Sequence, residues 1–369
     1  MSESKKSLGH SDFSNVSQDM PQDMPQDMPS DWLTHFQAKL NSQAQAECFK
    51  TRNKIIGIYS NLRLRCFGRS QKKQAIPTLL IPPLAVHDAG ITDLTTGNSL
   101  VSTLIESGVK NLHAVEWNRL TPDSAEQSFD TCLSDLNIAI DDLGGRVNLV
   151  GLCVGGLFAL LLAARFPTKI ARLVLAGTPV DMEAQLSTLS LHARKLANAR
   201  HTSLPLDMGA AEQWLTPLAV SAGIERAGLD ILQRDLGSFA RADLAALSAF
   251  EAWAERKYDL SASYMRDLLT RIGAANELAR GQFIVLGRRI DLKNIHAPIF
   301  VLAGERDEIA PPRQVFAVLN LVGTAQARQR RRLVPAHHLS LFAGRHVLQR
   351  EWRTIAGWLQ SCIPLALGA

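Results

Sequence analysis

Residues 151–156, GLCVGG, place a cysteine among glycines where a strand-like segment meets a helix-like one. This is the pattern of a nucleophile elbow, a strained strand-to-helix turn, with Cys153 in place of serine. Gly151 and Gly155 keep bulky side chains away from the turn, and Gly156 allows the helix to pack closely. The dipole of that helix favours the thiolate, which is the nucleophilic form of cysteine. A buried cysteine without chemistry is the alternative, but the junction favours a nucleophile.

A nucleophile that attacks a carbonyl carbon also needs donors for the negative charge that develops on the carbonyl oxygen. We predict that the backbone N–H of Val154, directly after Cys153, is the first donor. The second donor is expected in the loop IPPLAVHD, which follows an early strand. The backbone near Leu84 or Ala85 is the candidate there.

The acid and the base of such an elbow follow the nucleophile in that order along the chain. Asp307 lies in a turn between a strand-like segment and a proline-started helix, in VLAGERDEIAPP. Glu305 and Glu308 are its alternatives, and both also fit a solvated loop. The base is expected after the last strand, where His337 and His338 are adjacent. An aspartate that orients a histidine, which in turn deprotonates Cys153, completes the chemistry.

A cysteine nucleophile favours acyl transfer from a thioester. An acyl-cysteine is itself a thioester, so it keeps the activation of an incoming acyl-CoA and can pass the acyl group to an alcohol. Hydrolysis of an ester or a thioester uses the same groups. The residues therefore predict acyl transfer and leave a hydrolase open.

The elements that must position these groups alternate along the chain. Short apolar strands that alternate with helices predict a parallel sheet covered on both faces. The predicted strands are 61–67, 76–84, 110–117, 146–152, 171–178, 297–304 and 331–336, and the predicted helices are 98–109, 124–143, 154–166, one from Pro311, and 351–359.

Two parts of the chain depart from this alternation. Residues 180–296 are mostly helical in pattern, which predicts a cap inserted between late strands, above the strand ends where open α/β sheets bind ligands. Residues 1–30 contain three tandem QDMP units. Proline at every fourth position prevents a regular helix, so we predict a disordered tail followed by one domain over 31–369.

The composition narrows the class of protein. A hydrophobic fraction of 46% supplies a globular core, and a net charge of +5 is too small to predict nucleic-acid binding. The five cysteines lack the spacing of a zinc site or a disulfide framework, so we expect no metal and a reducing cytoplasm. The uncharged run 149–164 is interrupted by glycines and is too short for a membrane span. The polar N-terminus does not resemble a secretion signal.

Three segments resemble the polyhydroxyalkanoate synthases, which have an α/β-hydrolase fold and polymerise (R)-3-hydroxyacyl-CoA. They are LVGLCVGG, GTPVDME and GRRIDLKNIHAPIFVLAGERDEIAPP, and the likeness runs from about residue 54 to residue 360. The resemblance implies that Cys153 carries the growing chain and that His338 activates it. Asp307 matches the family aspartate, proposed there to help activate the substrate hydroxyl. The family usually has Gly-His-[Ile/Val]-Gly around its histidine, where this chain has AHHLS, and its Trp-x-x-Pro-Asp is stretched to WNRLTPD here.

The resemblance also implies partners. The length is similar to that of the short synthases, so we expect a second synthase subunit, a homodimer, and a cytoplasmic protein that can associate with the surface of polyester granules. Coenzyme A enters as part of the 3-hydroxyacyl-CoA substrate, and no cofactor is expected. Two alternatives stay open: a cysteine-nucleophile hydrolase, either a polyester depolymerase or a thioesterase, and an inactive granule-associated or scaffold protein.

Overall fold

The computed structural model describes residues 48–68, 76–85, 87–120, 126–187, 189–191, 193–194, 241–256 and 258–361. The predicted tail, its boundary at residue 30 and a large part of the predicted cap lie outside these ranges. So does Asp123, the last residue of the WNRLTPD segment. Where the domain and the cap begin and end therefore stays a prediction.

An eight-stranded sheet forms the centre of the described chain, in the order β1-β2-β6-β3-β7-β8-β11-β12. Only β2 runs against the others, since it pairs antiparallel with both β1 and β6 and the remaining pairs are parallel. The strands of this sheet are β1 Asn53–Ile58, β2 Leu62–Phe67, β3 Thr78–Ile81, β6 Leu112–Trp117, β7 Val147–Leu152, β8 Ile170–Ala176, β11 Ile299–Gly304 and β12 Gln329–Val334. Two small hairpins add β4 Asp93–Thr95 with β5 Asn98–Ser99, and β9 Ile284–Val285 with β10 Arg288–Arg289.

Helices connect the parallel strands and cover both faces of the sheet. The α-helices are α1 Leu100–Glu106, α2 Phe129–Asp142, α3 Val154–Arg165, α4 Arg241–Glu255, α5 Ala262–Asp267, α6 Pro312–Phe316, α7 Val318–Leu321, α8 Ser340–Ala343, α9 Arg345–Val347 and α10 Arg353–Gln360. The described ranges also contain 3-10 turns at Ala89–Thr92, Pro167–Lys169, Leu292–Asn294 and Gln326–Arg328, and π-helical turns at Leu268–Ala274 and Leu348–Trp352.

The core divides into two clusters, one on each face of the sheet. Helices α2 and α3 pack in the first cluster with Leu149, and helices α1 and α10 pack in the second with Val150 and Leu152. Successive residues of β7 thus enter opposite clusters, as the pleat of a strand requires. Strand β7 is buried at every position because both of its faces are covered.

The long uncharged run 149–164 resolves into two elements. Its first part ends β7, and its second part is α3, in which eleven of twelve residues are buried. No helix in the described ranges is long and apolar enough to cross a membrane.

The predicted alternation of strands and helices is confirmed. The structure adds β1, which the sequence pattern did not predict, and it divides the predicted closing helix into a π-helical turn followed by α10. Between β8 and β11 the described chain contains α4, α5 and a π-helical turn. The α/β class with a mostly parallel sheet, and with helices inserted between late strands, is therefore the observed architecture.

Candidate active site

Cys153 lies between the end of β7 and the start of α3 in a strained backbone conformation. Its φ is 49° and its ψ is −125°, in a region that residues with a side chain rarely occupy. The N–H of Cys153 donates to the carbonyl of Ala176 at the end of β8 (2.9 Å), and its own carbonyl accepts from Gly156 (3.0 Å). The turn therefore has the geometry that a nucleophile elbow requires, with the thiol partly exposed.

The three glycines of the elbow allow close approach of three neighbouring segments. A Cβ at Gly155 would lie 2.5 Å from the carbonyl oxygen of Pro82 and would also overlap that of Ile81, both at the end of β3. A Cβ at Gly151 would lie 2.5 Å from the Cα of Gly156. At Gly156 itself, a Cβ would overlap the hydroxyl of Thr178, which follows β8. Helix α3 can approach the ends of β3 and β8 only because these positions lack side chains.

Asp307 and His338 form a buried pair. The Nδ1–H of His338 donates to Oδ2 of Asp307 at 2.7 Å, and both side chains are almost wholly inaccessible to solvent. The other oxygen of Asp307, Oδ1, accepts the backbone N–H groups of Ile309 (3.0 Å) and Ala310 (2.8 Å). These two bonds explain why the aspartate holds one orientation.

Backbone hydrogen bonds hold the loops of the pair together. The N–H of Glu305 donates to the carbonyl of Val334 (2.7 Å), and the N–H of Arg306 donates to that of Ala336 (3.2 Å). A Cβ at Gly304 would overlap the Ala336 carbonyl. The segment after β11 and the segment after β12 are therefore in contact, which positions Asp307 beside His338.

Cys153 is the other side chain that, beside Asp307, raises the pKa of His338. Because Nδ1 faces Asp307, Nε2 is the ring nitrogen available to the thiol. Burial lowers the pKa of His338, but the charges of Asp307 and Cys153 and its hydrogen bond to Asp307 outweigh burial, so its pKa lies well above the usual value. The arrangement can hold a thiolate beside an imidazolium, the activated form of a cysteine nucleophile.

Of the candidate acids and the candidate bases, the structure brings together Asp307 and His338. His337, the neighbour of His338, instead lines a surface groove of about 540 Å³ beside Asp307. Glu305 and Glu308 are exposed, whereas Asp307 is buried. The groove also contains the apolar side chains of Leu186 and Leu191.

The predicted oxyanion donors border the elbow. Val154 is the first residue of α3, so its N–H belongs to the set that has no acceptor within the helix. Leu84 is buried and Ala85 partly exposed, in the loop that begins with the Pro82 carbonyl near Gly155. Their role, like the roles of Cys153, Asp307 and His338, stays a prediction.

Among the described residues, four hydrogen bonds join the inserted helical segment to this loop. The hydroxyl of Tyr264 donates to the carbonyl of Leu84 (2.9 Å), and that of Tyr258 to Oδ2 of Asp88 (2.9 Å). The indole N–H of Trp253 donates to the Asp88 carbonyl (3.0 Å), and Nε2 of His87 lies 3.0 Å from the carbonyl of Ala254. Sequence reasoning missed these contacts because they join residues more than 160 positions apart.

Gly177, which follows β8, is a further residue that sequence reasoning missed. Its φ is 57°, and a Cβ there would lie 3.1 Å from Cε1 of His338. The glycine therefore allows the imidazole to approach the strand end, and its position in GTPVDME was the only signal for it. Within the described ranges, no group of three or more His, Cys, Asp or Glu residues could hold a metal ion.

A family model described as alpha/beta hydrolase fold matches residues 119–344. This chain belongs to the alpha/beta hydrolase fold family. A crystal structure of a membrane phospholipase A, described as a novel bacterial virulence factor, is similar with a TM-score of 0.52. It is 16% identical, over 89% of this chain and 94% of that one, so the likeness shows the fold alone.

Curated relatives indicate a more specific group within this fold family. The poly(3-hydroxyalkanoate) polymerase subunit PhaC of Haloferax mediterranei is 24% identical over 71% of this chain and 55% of that protein. The subunit of the same name from Synechocystis is 26% identical over 77% of this chain and 77% of that protein. The chain thus spans about half of the first relative and about three quarters of the second. The predicted resemblance to the polyhydroxyalkanoate synthases is confirmed.

Proposed function

We propose that this member of the α/β-hydrolase family is an acyltransferase that polymerises (R)-3-hydroxyacyl-CoA through a thioester on Cys153. The connected arrangement of Cys153, His338 and Asp307 carries the proposal, because it supplies a nucleophile, a base and an orienting carboxylate in one place. The relationship to polymerase subunits supports the choice of substrate.

In the acylation step, the thiolate of Cys153 attacks the carbonyl carbon of the hydroxyacyl-CoA. The negative charge moves to the carbonyl oxygen, where the backbone N–H groups of Val154 and of Leu84 or Ala85 would stabilise it. The intermediate collapses with cleavage of the bond to the CoA sulfur, which takes its proton from the imidazolium of His338. The hydroxyacyl group is then held on Cys153.

In the transfer step, the 3-hydroxyl of an incoming hydroxyacyl-CoA attacks the acyl-cysteine carbonyl and gives its proton to His338. The bond to the cysteine sulfur breaks, and Cys153 returns as the thiolate. The chain, now one unit longer on CoA, can acylate Cys153 again and release CoA. No cofactor takes part, since CoA enters as part of the substrate.

The surroundings of Asp307 favour one of its two expected roles. One carboxylate oxygen binds His338 and the other binds two backbone N–H groups, and the side chain is buried. A carboxylate engaged in this way can orient His338 and stabilise its charge. We therefore propose that Asp307 acts through His338 and does not contact the substrate hydroxyl.

Product analysis after incubation with 3-hydroxybutyryl-CoA tests the proposal. Purified full-length protein should release CoA and form insoluble polymer, and Cys153→Ala should abolish both. Cys66→Ala is the matched control, because Cys66 lies on β2, distant from the elbow in the sheet order. It should retain both reactions.

Other products would identify the alternatives. CoA release with only free 3-hydroxybutyrate would indicate a hydrolase. A single acylation of Cys153 without turnover would indicate an inactive scaffold. The expected second subunit, homodimer and granule surface are part of the proposal, so the assay is run alone and with a synthase partner subunit, with the mass in solution measured in both cases.

A further inference from the structure

Tyr264 connects the inserted helical segment to the loop beside the elbow. It lies on α5 and is fully buried, with its ring centroid 5.1 Å from that of Phe129 and 6.2 Å from that of Phe158, a residue of α3. Two aromatic neighbours in the core thus fix its ring, and its hydroxyl donates to the Leu84 carbonyl at 2.9 Å.

The hydroxyl of Tyr264 remains protonated and can therefore donate a hydrogen bond. Burial raises the pKa of Tyr264 well above its usual value. The phenol therefore stays protonated.

The Leu84 carbonyl and the Ala85 N–H belong to the same peptide unit. Peptide bonds in the described ranges are all trans, and a trans peptide is planar with its C=O and N–H pointing in opposite directions. A hydrogen bond that fixes the direction of the carbonyl therefore fixes the direction of the N–H. Of the two candidate donors in the loop, Leu84 and Ala85, only the N–H of Ala85 is oriented in this way.

We propose that Tyr264 is a positioning residue, which orients the Leu84–Ala85 peptide so that the N–H of Ala85 serves as the second oxyanion donor. The inference rests on the proposed role of Cys153 as nucleophile. It makes the inserted segment part of the catalytic arrangement through one hydroxyl group, without contact between that group and the substrate.

Two reagents separate this role from a general structural one. Acylation of Cys153 by 4-nitrophenyl acetate forms an S–C bond through an oxyanion and releases 4-nitrophenolate. Alkylation by iodoacetamide forms an S–C bond at a saturated carbon and releases iodide, so it needs no oxyanion donor. Tyr264→Phe should lower the acylation rate about ten-fold or more, since loss of a whole donor costs about 10²–10³. It should leave the alkylation rate and its pH dependence unchanged.

The other two tyrosines of the chain provide matched variants. Tyr59→Phe removes a hydroxyl that binds Asp142 on α2 and should change neither rate. Tyr258→Phe removes a hydroxyl that binds Asp88 on the same loop, but not the Leu84 carbonyl. An acylation loss in Tyr258→Phe as large as that in Tyr264→Phe would overturn the proposal, as would unchanged acylation in Tyr264→Phe.

Ala85→Pro removes the proposed donor itself and tests the proposal even if Tyr264→Phe does not fold. It should lower acylation about 10²–10³-fold with alkylation retained. When Ala85→Pro is already present, Tyr264→Phe should not lower the acylation rate further. A further loss as large as the one in the wild-type background would contradict the proposal that both residues act through the N–H of Ala85. If wild-type protein reacts at Cys153 with neither reagent, the proposed function fails. If Cys153 reacts but neither Tyr264→Phe nor Ala85→Pro lowers the acylation rate, only this inference fails.

Discussion

At the scale of single residues, the site is a chain of buried contacts that ends at one partly exposed sulfur atom. His338 binds Asp307, Asp307 is held by backbone N–H groups, and Cys153 raises the pKa of the same histidine. Each group thus depends on the next for its orientation. Removing the charge of Asp307 should therefore change the pKa of His338 as well as the rate of the reaction.

Asp307→Asn tests this dependence. The variant removes the carboxylate that raises the pKa of His338, while burial continues to lower it, so the pKa of His338 should fall. We expect kcat to fall by about 10⁴-fold, the loss typical when the carboxylate of such a triad is replaced by an amide. Titration of His338 by NMR and the pH profile of kcat measure both effects.

The same pair predicts a pH dependence of stability. Because the folded-state pKa of His338 is raised, its contribution is fully present below the unfolded pKa of about 6.5 and is lost as the pH rises through the folded pKa. In Asp307→Asn this loss should move to lower pH. Asp141→Asn, which breaks a surface ion pair with Lys169, is the control. An unchanged pH profile in Asp307→Asn would contradict the assignment.

The types of the site residues could be predicted from the sequence, but the choices within two sets depended on family resemblance. No local pattern separates His337 from His338, or Asp307 from Glu305 and Glu308. Asp307 and His338 differ from these neighbours because both are buried where the segments after β11 and β12 are in contact. Burial and this contact arise only in the folded chain. Tyr264 could not be predicted because its partner Leu84 lies 180 residues away.

At the scale of elements, α3 lies against the end of β3 with no space between them. Gly155 forms this contact, since a Cβ there would meet the carbonyl oxygens of Ile81 and Pro82. Backbone atoms cannot move aside as a flexible side chain can, so a methyl group would displace the helix or the loop.

Gly155→Ala is expected to lower the free energy of unfolding by about 1–3 kcal/mol, as overpacking typically does. Gly357→Ala is the matched control, because Gly357 lies on the exposed side of α10 and a Cβ there would meet nothing within 4 Å. That change should be neutral or stabilising by up to about 1 kcal/mol. Urea titration of both variants measures the difference, and equal stability would refute the contact.

Most of the elements could be predicted from hydrophobic pattern, and the exceptions have physical reasons. The central strands are mostly apolar, so they differ clearly from the helices around them. Strand β1 was not predicted because its residues from Lys54 to Ile58 are mostly exposed. Its pairing with β2 is also irregular, with a register shift between Ile55 and Gly57. Neither alternation nor burial marks it as a strand.

At the scale of the whole molecule, burial falls from the middle of the sheet to its edges. Strands β7, β8 and β11 are buried at every residue, whereas β1 and β12 are mostly exposed or partly exposed. The β12 edge carries Arg330, Arg331 and Arg332, all exposed. Charge on an edge strand discourages pairing with another chain.

Hydrogen exchange should follow this gradient. Amides of β7 and β8 should exchange only through global unfolding, while those of β1 and β12 should exchange through local opening with lower free energy. Mass spectrometry of peptides from these four strands in increasing denaturant measures the difference. Equal protection of β1 and β7 would show that the edge unfolds together with the centre.

The hydrogen bonds between the inserted segment and the loop after β3 have a consequence for protein engineering. Libraries that seek new acyl groups would naturally randomise the insertion. Substitution of Trp253, Tyr258 or Tyr264 would release the loop beside the elbow as well as change the surface of the insertion. A library that keeps these three side chains fixed and varies their solvent-facing neighbours changes the insertion while the loop beside the elbow stays in place.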